Sequence, residues 1–117
     1  MGKIKVTYKG TDYTLEYTRR TVQTMEARGF DLADITEQKK LATAIPMLWQ
    51  GAFLAHHNPA DKTARDPVDR KLADEIYSSI TKKSDLISKL SNMYVEQVTS
   101  LLDDPEEDEG NATWEEA

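Results

Sequence analysis

An α+β fold, mainly α, follows from three observations on this 117-residue chain. Ile4, Val6 and Tyr8, and then Tyr13, Leu15 and Tyr17, alternate with polar residues in the period of two half-buried strands. From Thr18 onward the apolar residues recur at three- and four-residue spacing, the mark of helices packed by one face. After Leu102 this pattern stops, and Asp103 to Ala117 carries eight acids and no lysine or arginine. The expected layout is an N-terminal β-hairpin and about four helices in a single domain over residues 1–102, then a disordered acidic tail over 103–117.

Gly10-Thr11, read as the central pair of a Gly-first turn, places Tyr8 opposite Tyr13, Val6 opposite Leu15 and Ile4 opposite Tyr17 on one face, with Lys5 meeting Glu16 on the other. A lone hairpin is marginal in water, so this one must pack on helices or pair with another chain. Thr18 caps a short helix with Val22 and Met25 on one face, and Gly29 supplies the left-handed residue that ends it. Arg19 and Arg20 fall in its first turn, against the macrodipole; they are either solvated or in contact with an acidic partner or the acidic tail.

A core helix is expected to begin after Asp34 or Thr36 and run to about His57, carrying Leu41, Ile45, Leu48, Trp49, Ala52 and Phe53 inward. Pro46 predicts a kink or break in it, and Asn58-Pro59 its end. Past a polar loop, Asp66-Pro67 has the form of a cap followed by proline at the first helical position, ahead of Val68, Leu72, Ile76, Tyr77 and Ile80. Ser84 is placed to cap the last helix. Its stripe of Leu86, Leu90, Met93, Tyr94, Val98 and Leu101 either packs inside the domain or offers a face to another chain.

Charge divides the molecule. Thirteen of the 21 acids precede Asp103, as do all 15 lysines and arginines, so the body carries +2 although the whole chain carries −6. That is far from the strongly basic footprint of a nucleic-acid-binding domain, and an acidic tail repels a polyanion. The absence of cysteine excludes disulfides and thiolate metal sites. No apolar run reaches the length of a membrane span, and the start alternates where a signal peptide would be continuously apolar, so a soluble intracellular protein is expected.

Nothing in the sequence matches a phosphate-binding glycine loop, a nucleophile elbow or a His-Glu-x-x-His zinc helix. His56 and His57 are adjacent, point about 100° apart on a helix and cannot share a metal as a pair four apart does, which leaves only Asp61 nearby as a third ligand. No catalytic residues, metal or cofactor are assigned, and the chain is expected not to be an enzyme. The candidate contacts are to protein. Trp114 stands alone in a segment too acidic to form a core, either a bare tail residue or an interface anchor.

Taken together, Lys3-Ile-Lys-Val-Thr-Tyr-Lys-Gly10, Tyr13-Thr-Leu-Glu-Tyr17, Thr18-Arg-Arg-Thr-Val-Gln-Thr-Met-Glu26, the Pro46-Met-Leu-Trp-Gln50 helix and the Gly110-Asn-Ala-Thr-Trp-Glu115 ending resemble the tail assembly chaperones of long-tailed phages and prophages of Gram-positive bacteria. The resemblance spans nearly the whole chain and lies in organisation, not in a short signature. It implies binding to the tape-measure protein during tail building, recruitment of tail-tube subunits, residence in the host cytoplasm and absence from the finished virion. It also implies a frameshifted longer form in many members. Partner contacts are then expected at Trp114, Arg19, Arg20, Leu86, Leu90, Tyr94, Val98 and Leu101, with self-association possible through the hairpin edges. The alternative is a small regulatory or nucleic-acid-binding protein.

Overall fold

The computed structural model describes residues 2–104 and 112–116. A hairpin of β1 (Lys3–Tyr8) and β2 (Thr11–Glu16) leads into α1 (Arg19–Ala27), α2 (Ala33–Thr36), α3 (Leu41–Gly51), α4 (Arg70–Ser79) and α5 (Lys83–Thr99), and α5 runs into a 3-10 turn at Ser100–Leu102. The α+β, mainly α class is therefore the architecture. The expected disordered tail lies largely outside the described residues; Asp103, Asp104 and residues 112–116 are exposed.

The hairpin register differs from the expected one by two residues. Tyr8 pairs with Thr11, Val6 with Tyr13, Ile4 with Leu15 and Lys3 with Glu16, so the turn is Lys9-Gly10 and not Gly10-Thr11. Both turn residues have positive φ, 49° and 81°, the type I′ geometry whose twist suits flanking strands and which takes glycine well at the second position. A two-residue slip leaves every side chain on its face, so the apolar alternation cannot distinguish the two registers. Turn chemistry decides, and Thr7 Oγ1 donates to Asp12 Oδ1 at 2.6 Å across the paired residues.

Thr18 caps α1 as expected, with Thr21 completing a capping box. At the other end Gly29, φ 96°, gives a Schellman turn: Phe30 N–H donates to the Met25 carbonyl at 3.0 Å and Gly29 N–H to Glu26 at 2.9 Å. The long helix expected up to His57 is split. α2 is a separate short element and α3 stops at Gly51, followed by tight turns to His57. Pro46 lies within α3, which continues through it without a break. The α4 cap is Asp69, whose carboxylate accepts from Leu72 N–H at 2.8 Å, and not Asp66. The reason is tertiary: Val68 is buried and its N–H donates to the His57 carbonyl at 2.9 Å, so the helix starts only after that tie. Ser84 is likewise inside the first turn of α5; the cap position is Lys82, in left-handed backbone at φ 55°.

α3 is the hub, touching α1, α2, α4 and α5. Leu48, Trp49 and Phe53 are fully enclosed, and Trp49 Nε1–H donates to the Ala73 carbonyl of α4 at 2.8 Å. Tyr17, at the end of the hairpin, donates its hydroxyl to the Leu48 carbonyl in the last turn of α3 at 2.6 Å. A Cβ at Gly51 would overlap the thioether of the buried Met25, which sets how closely α1 and α3 approach.

His57 is a structural staple. Its Nε2 accepts from Thr14 N–H at 3.0 Å, so the ring proton sits on Nδ1, 2.7 Å from the Arg65 carbonyl. With Glu16 N–H donating to the Ala52 carbonyl at 3.0 Å, this closes the outer edge of β2 onto the segment after α3. No helix among the described residues is long and apolar enough to cross a membrane.

Candidate interaction surface

α5 carries one apolar stripe through two environments. In its middle Leu90 is 0 % and Tyr94 5 % exposed. Tyr94 meets Phe30 edge-on at a ring-centroid distance of 5.0 Å and Tyr17 at 5.7 Å. Beyond Tyr94 the stripe is open among the described residues: Val95 is 42 %, Val98 36 %, Leu101 51 % and Leu102 86 % exposed. The spacing of Tyr94, Val95, Val98, Leu101 and Leu102 keeps them on one side of the helix and its terminal turn.

The α5 end is held by a side chain that does not belong to the stripe. With its amide turned to satisfy both neighbours, Gln97 donates to the Tyr17 carbonyl at 3.1 Å and accepts from Arg19 N–H at 3.2 Å. This covers one of the orphan donors at the start of α1 and ties the end of α5 to it.

Beside the stripe is a groove of about 500 Å³ lined by Phe30, Leu32, Tyr94, Val95 and Val98, together with Glu26 and Asp31. Burial, and then the negative charges of Glu26 and Asp31, push the Tyr94 hydroxyl up to about 12. The groove is therefore apolar in its floor and electronegative at its margin. That combination fits the apolar face of an amphipathic helix whose flanks carry lysine or arginine.

The sequence-predicted contacts separate accordingly. Val98 and Leu101 lie on the open face. Leu90 and Tyr94 are corrected from contact residues to core, because Phe30, Tyr17 and the α3 side of the domain already cover them. Leu86 is half-buried and lines a different groove, facing β1. Arg19 and Arg20 are exposed; Arg20 lines a third groove with Asp61, whose carboxyl is held below its usual range by hydrogen bonds from Thr63 and, least, by the Arg20 charge. Trp114 is 87 % exposed. His56 Nε2 lies 2.7 Å from Glu16 Oε1, and no group of three or more potential metal ligands occurs among the described residues. Glu26, Asp31 and Gln97 were not singled out in the sequence; only their placement around the stripe gives them a role.

Fold and surface define a small hairpin-plus-helices domain with an uncovered helix end. The chain belongs to the family described as Domain of unknown function (DUF5055), whose model matches residues 1–117. No curated protein and no solved structure matches the chain.

Proposed function

We propose that this protein is a non-enzymatic tail assembly chaperone of a long-tailed phage or prophage. It binds the tape-measure protein in the host bacterial cytoplasm, keeps it soluble, helps recruit tail-tube subunits, and is not carried into the mature virion. The observation that supports this reading most is the open apolar face at Val95, Val98, Leu101 and Leu102, next to the acidic groove at Glu26 and Asp31. A contiguous apolar patch at a helix end marks an interaction site, and a long helical client with apolar stripes is the kind of chain that needs one covered.

The test is co-expression with the cognate tape-measure protein. The reading expects the client to stay in the soluble fraction with the wild-type chain and to precipitate with a Val98→Glu, Leu101→Glu variant of unchanged melting temperature. A client that precipitates equally with and without the wild-type chain, at matched expression, contradicts it.

A further inference from the structure

The two edges of the hairpin are treated differently. Around a two-residue turn flanked by Tyr8 and Thr11, the backbone groups of residues 12, 14 and 16 point outward from β2, and those of residues 3, 5 and 7 outward from β1. On β2 the donors of Thr14 and Glu16 are taken by His57 and Ala52. Those of Lys3, Lys5 and Thr7 have no partner among the described residues. Along this open edge runs a groove of about 700 Å³, lined on the hairpin side by Ile4 to Thr7 and on the helical side by Ile80, Lys82, Leu86 and Lys89. A smaller hollow at Lys3 and Lys89 lies next to it.

We propose that this edge takes an extended acidic segment as an added strand, and that the segment is the C-terminal tail of a second copy of this chain. Charge selects the occupant. Lys3, Lys5, Lys82 and Lys89 outnumber the carboxylates of Asp85 and Glu96 that share the two hollows. A second β1 strand would set lysine against lysine, which disfavours edge-to-edge pairing of hairpins. The tail, with eight acids and no base after Leu102, is the opposite. Residues two apart, such as Glu107 and Glu109, would fall on one face against Lys3 and Lys5. In the single chain the described tail residues, Asp103, Asp104 and 112–116, are exposed. Tail into groove is a heterologous contact, which builds rows or rings of copies, or a closed pair when two copies exchange tails. The inference concerns self-assembly and stands whether or not the client is a tape-measure protein.

The experiment is sedimentation velocity on the full-length chain from micromolar to several hundred micromolar, at low and high salt. Mass should rise with concentration and return to monomer as salt screens the contact. Two charge-reversed proteins, Lys3→Glu with Lys5→Glu in one and Glu106→Lys, Glu107→Lys, Asp108→Lys, Glu109→Lys in the other, should each weaken self-association by about tenfold or more and should associate with each other when mixed. Lys5→Pro, which removes an outward N–H without touching the ladder to β2, should weaken it too. Should the hairpin variants fail to fold, the tail variant still decides, since its substitutions fall in the acidic segment after Leu102. A monomer at every concentration, oligomers indifferent to tail charge, or reversed proteins that stay apart when mixed would each overturn the proposal.

Discussion

The two halves of α5 have similar side chains and opposite fates. Leu90 and Tyr94 are sealed by α1, α3 and the hairpin end, whereas Val98 and Leu101, one and two turns on, are exposed among the described residues. The difference lies in where the rest of the chain stops, not in hydrophobicity. α1 ends in a glycine turn that brings Phe30 onto Tyr94, whereas Val98 only borders the groove that Phe30 and Leu32 line. An apolar stripe therefore marks a core only as far as another element accompanies it.

The largest effect that separates the halves is on stability. Leu90→Ala should cost about 2–5 kcal/mol because the cavity is enclosed on all sides, while Leu101→Ala should stay within about 0.5 kcal/mol. Urea unfolding of both variants checks this, and equal losses would erase the distinction. Next in size, Gly51→Ala should cost about 1–3 kcal/mol by overpacking against Met25, since α3 positions everything that covers Leu90. Its melting temperature should fall while Val98→Ala leaves that of the wild type in place.

Tyr17→Phe keeps the ring against Tyr94 and removes only the hydroxyl bonded to Leu48, so a loss of about 1–2 kcal/mol is expected. An unchanged urea midpoint would mean that the bond does not hold the hairpin to α3. A further effect is in pH. Burial raises the hydroxyl of Tyr17, and burial with Glu26 and Asp31 raises that of Tyr94 to about 12, so the folded chain keeps protons that unfolded tyrosines shed near 10. The contribution is whole below about pH 10 and is lost as pH rises through the folded values. The urea midpoint should decline over that window, with tyrosinate absorbance lagging behind that of the urea-unfolded chain.

Much of this architecture was legible. Alternation gave both strands and their buried face, and Thr18 and Gly29 gave the ends of α1, because caps and glycine turns act locally. What escaped reading was set by distant partners or by near-degenerate choices. The hairpin register turned on two registers with identical faces. The late start of α4 came from Val68 being tied to His57, and the role of His57 came from Thr14, 43 residues away. The stripe on α5 was visible as far as Leu101, but not the point at which its cover ends, since spacing along one helix says nothing about the reach of its neighbours. The groove carboxylates Glu26 and Asp31 look like any solvated pair until Tyr94 is placed in the same groove.

The claim that the uncovered end of α5 receives the client is tested most directly by methyl NMR on the full-length chain, labelled at Val and Leu, before and after adding soluble tape-measure protein. The account predicts that the Val95, Val98, Leu101 and Leu102 signals shift or broaden while those of Leu15, Leu48 and Leu90 stay in place. Perturbation spread over the buried leucines, or binding that leaves the four exposed residues untouched, would contradict it.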